Sequence, residues 1–375
     1  MKTILQEIAD IRQGKPIVID YSNRNRYCVV LSEADGSKTA YCFGTPVYNL
    51  HSRQAVSFRF QYKDNNPYLI GSNSVITVFE DAVRLENAEG SSIVHMEKSP
   101  LIVGNGRIQR GKDVIFPTAN GFAHLVTCSK GNTVSFIVEV DRPFLQIRTN
   151  DRCFALMSEE FRPFLTVSCI GTVQNNTVTA PVTLHYEKMN DRCYQIHLTS
   201  GKEGDIVLFE CNLYESKLFQ DTTVESKNPQ TNNAFGGMAF LGCTEQYGEQ
   251  WLYSRIDFSK LSELFDKRIK RAVWHVPKFN YTDIALTGIQ LEARFCSFGS
   301  NWENKVEASR SISRSTQNGR YLDMDLSSLI ADAKTGSFRH AEGIILKPEC
   351  IGTDCVTVST GDSYYAPQIL EINFR

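Results

Sequence analysis

The stretch best equipped for chemistry is QWLYSRIDF, residues 250–258. Successive side chains of a strand point to opposite faces. Trp251, Tyr253, Arg255 and Asp257 therefore share one face, and Leu252, Ser254, Ile256 and Phe258 the other. AVWHVP reads as the neighbouring strand, with Ala272, Trp274 and Val276 on the core face and Val273 and His275 outside. Trp251, Tyr253, Arg255 and His275 are thus the candidate ligand-binding residues, an aromatic and cationic platform. Aromatic faces stack on sugar rings, and an arginine fork grips a carboxylate through two hydrogen bonds. Two other readings fit the same residues: a contact with another domain or subunit, and a plain exposed sheet. Trp274 and Trp302 are assigned to the core.

Other chemical signals are thinner. Gly106 to Lys112, GRIQRGK, has the spacing of a phosphate-binding loop. However, Asp113 stands where the magnesium-binding Ser or Thr belongs, and VIFPTANG after it is not a helix. Such a loop needs a helix N-terminus to receive the phosphate, so the segment reads as a turn between strands. No GxSxG elbow, HExxH pair or EF-hand loop occurs. Asp323 and Asp325 could be an acid pair or a calcium site, and helix capping accounts for at least one of them more simply. His185 and His197 take ordinary positions in alternating strands. A Cys–His pair assembled only by folding is left open. No catalytic residue, metal or cofactor is expected. The 11 cysteines include no CxxC, and no His or second pair completes a zinc site around Cys350 and Cys355. Scattered through runs such as RYCVV and LTVSCIG, they read as small buried hydrophobes and free thiols of a reducing compartment.

The elements that must position these residues are strands. Phe, Tyr, Val, Ile and Thr are abundant, and turn-prone Asn, Asp and Gly recur between short apolar runs. AVSFRFQYK alternates, with Val56, Phe58 and Phe60 on one side and Ser57, Arg59 and Gln61 on the other. Ile4, Leu5, Ile8 and Ile11 instead fall on one helical face, with Gly14 as a stop. This predicts a short N-terminal helix, packed on its own domain or docked on a homo-oligomeric partner or scaffold protein. Two more short helices are predicted, one with Ser259 as N-cap and one with Asp325 as N-cap and Gly336 as stop. The expected fold class is all-β, with tandem β-sandwich, jelly-roll-like domains. The expected boundaries are residues 1–122 for the helix and a β-rich domain, 123–217 for a β-sandwich, and 218–375 for a last sandwich holding the two further helices.

A net charge of -2 and a pI of about 6.4 give no reason to expect a nucleic-acid partner. No apolar run is long enough for a membrane helix, so no membrane insertion is expected. The N-terminus lacks the apolar segment and cleavage site of a secretory signal. The expectation is synthesis in the cytoplasm without a classical signal peptide, with a virion or cell-surface assembly as a further destination.

Residues 219–375 resemble the DNRLRE domain, a β-sandwich module of bacterial surface and wall-associated proteins. The resemblance rests on an ordered set of features. Asp221, Asn228-Pro229, Asn232-Asn233 and Gly236 to Gly242 match the entry, and YSRIDFSKL the strand and turn after it. Ile269, Ala272 and Trp274, the pair Trp302-Glu303 and the segment Asp323 to Leu329 follow in order, and GIIL and PQIL close it. RNRYCVVLSEADGSKTAYCFGTPVYN looks, more weakly, like modules that precede such domains in wall-associated YD-repeat proteins. The resemblance implies a non-catalytic, carbohydrate-binding module, with acidic polysaccharides among the ligands of related modules. Family members are usually exported, and this chain shows neither an export signal nor a YD-repeat array. The functional expectation is therefore a bacterial or phage surface or adhesion protein that binds a polysaccharide or cell-surface glycan. The alternative is a structural subunit of a phage particle, injection apparatus or filament.

Overall fold

Period-two patterning is plain in the half-buried strands, while others are buried on both faces. In Thr133–Val140, Phe136, Val138 and Val140 are buried while Ser135 and Glu139 face solvent, as a half-wet strand requires. The structure, a computed structural model, is 56% strand and 7% helix, which makes the fold all-β. It describes every residue except 1–2, 24, 53, 57, 105, 130, 145, 176, 280–289, 298–302, 304–309, 335–341 and 350–354. Ser57, Trp302, Gly336 and Cys350, named above, lie outside the described residues.

The chain forms two compact units rather than the expected three domains. The first comprises Tyr48–Ser216 with Phe235–Gly237, and the second Lys2–Val47, Lys217–Ala234 and Met238–Arg375. The expected boundary at residue 122 falls inside a strand, Gly121–Thr127. That strand pairs with Asp113–Pro117 on one side and with Ile206–Leu213 on the other, so residues from both sides of the expected boundary share one sheet. The expected separation of residues 1–47 from the C-terminal region fails for a similar reason. Lys38–Phe43 pairs with the last strand, Ile369–Phe374, in a register running from Lys38↔Phe374 to Phe43↔Ile369. The chain passes from the first unit to the second at Ser216–Lys217.

The first unit is a sandwich of an eight-stranded and a nine-stranded antiparallel sheet among the described residues. One apolar cluster joins them, in which Phe136 of one sheet stacks on Phe209 of the other at 4.7 Å. The second unit is, among its described residues, a sandwich of a six-stranded and a seven-stranded sheet. Its core includes Leu252 and Ile256 from Gly248–Ile256 and Ala272, Trp274 and Val276 from Ile269–Pro277. Phe219 stacks on Trp274 at 5.6 Å. The core faces of both strands are as the alternation predicts.

The N-terminal helix spans Ile4–Arg12 and is closed by a Thr3/Gln6 capping box. It packs on the second unit through Ile8 and Ile11, while Leu5 is 43% exposed. The helical turn Phe258–Leu261 is capped by Asp257, whose carboxylate accepts from Ser259 N, rather than by Ser259 itself, and Ser262–Phe265 follows it directly. Asp325 accepts from Ser327 N at the start of Ser327–Lys334, as a cap does. PIVIDY forms only a bridge, Ile19↔Leu31, and leaves Val18 and Tyr21 exposed. The thiol expectation needs one correction. Cys28 and Cys42 face each other across Cys28–Ser32 and Lys38–Phe43 and are joined by a disulfide. Such pairing follows strand register, which a separation of 14 residues does not reveal.

Candidate functional site

The platform expected on QWLYSRIDF does not form. Trp251 is 2% exposed and Tyr253 is fully buried. Together with Val224 and Ile345 they make a small cluster on the outer face of the seven-stranded sheet. Val224 lies opposite Trp251 in register and Ile345 opposite Tyr253. The Trp251 indole donates to Glu249 at 2.8 Å, and the Lys347 ammonium sits 4.5 Å from the ring centroid. No face of either ring is open to a sugar. Arg255 is half-buried. His275 does not join these residues, because Ile269–Pro277 belongs to the six-stranded sheet and does not pair with Gly248–Ile256. The adjacency inferred from sequence was wrong in the sheet, although each strand's core face was right.

His275 instead lies at the floor of a groove of about 680 Å³ on the outer face of the six-stranded sheet, beside the N-terminal helix. Asp323 stands directly across from it on Tyr321–Asp325, and its Oδ1 is 2.6 Å from Nδ1. Glu371, on Ile369–Phe374, brings Oε2 to 3.4 Å from Nε2. Burial by itself pushes His275 down. The Asp323 hydrogen bond and the charges of Asp323 and Glu371 outweigh it, and the pKa is raised. The imidazole is therefore clamped between two carboxylates that favour its charged form. Glu371, although also pushed up by burial, is held below the usual carboxylate range by His275.

The network continues outward. Asn318 donates to Asp323 Oδ2 at 2.9 Å, and Gln13 donates to Asn318 at 2.7 Å. At the other end Arg12 grips Glu33 with two hydrogen bonds, at 2.7 and 3.0 Å. That fork raises the Arg12 pKa and lowers that of Glu33. Tyr41, opposite Glu371 in register, is pushed up first by burial and then by the Glu371 charge. Arg271 is exposed at the groove's side.

Of the four candidate residues, the structure brings only His275 to an accessible polar recess. Asp323, weighed in the sequence as an acid-pair or calcium residue, turns out to be its ion-pair partner. Arg12, Tyr41 and Glu371 were not singled out by sequence. The signal for Glu371 was present in ILEINF, where Glu371 and Asn373 interrupt the apolar Leu370, Ile372 and Phe374. Among the described residues, no group of three or more His, Cys, Asp or Glu side chains could hold a metal ion. No family model matches the chain, and no curated protein matches it.

Proposed function

We propose that the chain is a non-catalytic binding protein of a bacterial or phage surface, and that the His275 groove takes a polyhydroxylated ligand, a saccharide. One observation carries this reading. The floor of the groove sets donors beside acceptors, from Arg12 and Tyr41 past Glu371 and His275 to Asp323 and Asn318. Such a surface suits hydroxyl groups, each of which donates and accepts. The DNRLRE-like sequence of residues 219–375 supports the same reading, since it includes the strands that carry His275, Asp323 and Glu371. Both His275 ring nitrogens face carboxylates, so neither is turned to the groove as a base would be, which argues for binding rather than base catalysis. Arg271 at the side fits the carboxylate of an acidic sugar. A glycan array that includes acidic polysaccharides, followed by titration calorimetry, tests this. Arg271→Ala should weaken a uronate-containing hit about tenfold, the loss of roughly one charge-assisted hydrogen bond. A silent array with folded protein would end the proposal.

A second reading, a structural subunit that docks through its N-terminal segment, is favoured by a separate observation. Leu5, Val18 and Tyr21 are 43%, 56% and 63% exposed within the first part of the chain. Light scattering after size-exclusion chromatography decides whether the chain self-associates; a monomer at high concentration leaves that surface only to a different scaffold protein. No helix among the described residues is long and apolar enough to cross a membrane.

A further inference from the structure

The first unit holds a polar constellation that the proposed function does not use. The GRIQRGK segment is a hairpin, as its sequence suggests, joining Arg107–Arg110 to Asp113–Pro117. Gly111 turns it at φ +61°, and a Cβ there would come within 2.7 Å of Ser99 Oγ. In a strand, residues two apart share a face. Ile108, Ile115, Phe122 and Val126 belong to the sandwich core, so Arg110, Asp113 and His124 stand on inward-facing positions where apolar side chains would be expected.

All three line a cavity of about 810 Å³ that opens to solvent. This is within the size range of small-ligand pockets. His124 is 3% exposed, and neither of its ring nitrogens has a hydrogen-bond partner. Asp113 Oδ2 lies 3.7 Å from its Nε2, and Asp113 Oδ1 accepts from Thr127 N. Burial drives the His124 pKa down despite Asp113, so the ring is neutral, with one nitrogen that donates and one that accepts. Arg110 is held in place by the carbonyls of Glu80 and Glu97. The Phe136–Phe209 stack forms an apolar wall, and the Phe209 ring is 5.4 Å from His124.

A buried imidazole without partners is unfavourable, and a bound group would supply the missing partners. The lining indicates which group. Lys98, Arg110 and Lys112 are matched by Glu97, Asp113 and Glu203, so the cavity as a whole favours neither a cation nor an anion. Beside Asp113, which only accepts, and His124, which does both, the fitting group both donates and accepts. That group is a hydroxyl. We propose that this cavity is a binding site for a neutral ring bearing hydroxyl groups, with the ring against Phe136 and Phe209 and a hydroxyl between His124 and Asp113. A sugar and a phenol share this chemistry.

Ligand-observed NMR on the full chain tests it, with glucose, maltose, phenol and resorcinol as neutral probes. Glucuronate, glucosamine and benzoate serve as charged counterparts. At least one neutral probe should bind more tightly than its charged counterpart and shift the His124 ring signals, which are assigned by their loss in His124→Phe. That variant should weaken binding about tenfold or more while the circular dichroism spectrum is kept. Binding by sugars alone or by phenols alone identifies the source, and either supports the site. If His124→Phe does not fold, Asp113→Asn is read in its place, with the same loss expected. The proposal is overturned if no neutral probe binds, if charged probes bind as well or better, or if the variant that folds binds with unchanged affinity.

Discussion

His275 and His124 are almost equally buried, at 2% and 3% exposed, yet their protonation differs in direction. Both lose hydration, and both therefore feel the same downward pressure on their pKa. His275 has a carboxylate against each nitrogen, at 2.6 and 3.4 Å, and is raised. His124 has one carboxylate, at 3.7 Å, with Arg110 opposing it, and is lowered. Burial alone therefore does not decide the charge of a core-edge histidine. The number and distance of carboxylates on neighbouring strands decide it, and strand register sets both.

The comparison breaks most visibly if His275 is removed. His275→Leu removes the imidazole between Asp323 and Glu371, and should cost the second unit about 3 kcal/mol. All three tryptophans lie in the second unit's sequence, so urea unfolding followed by tryptophan fluorescence reads that unit selectively. An unchanged midpoint would mean that the clamp contributes nothing.

The two histidines should also give opposite pH slopes. The folded pKa of His275 is raised above the ordinary 6.5, so its stabilisation is complete below that value and is lost as pH rises through the folded pKa. His124 is lowered, so its contribution is present above 6.5 and is lost as pH falls toward its folded value. Comparing wild type with His275→Leu by fluorescence, and with His124→Phe by far-ultraviolet circular dichroism, should show differences that change with pH in opposite senses. Parallel slopes would refute the assignment.

The smallest effect expected is a gain. His124→Phe replaces two unpartnered buried nitrogens by carbon beside the Phe136–Phe209 stack, and should stabilise the first unit by about 1 kcal/mol in the absence of ligand. A loss of that size would instead indicate that the imidazole is held by bound water.

Much of this was legible in the chain. The alternation in QWLYSRIDF and AVWHVP gave the correct core faces, and the hairpin at Gly111 followed from the lack of a helix after it. Even the His124 site left a trace, because in GFAHLVTC a histidine occupies the inward row of Phe122, Val126 and Cys128. What failed was pairing. Trp251 and His275 looked like neighbours because their strands are close in sequence, and they belong to different sheets.

The sequence by itself determined which side of the alternating strands is apolar, because a period of two is written locally. It also determined the helix at Ile4–Arg12, through its cap and its apolar face. The tertiary structure decided which strands meet. Lys38–Phe43 lies more than three hundred residues from its partner Ile369–Phe374, and nothing local in either encodes the other. That single pairing places Tyr41 beside Glu371 and helps to build the groove over His275. The same kind of choice puts Arg110, Asp113 and His124 around one cavity, since register is settled by the packing of whole sheets and not by any one strand.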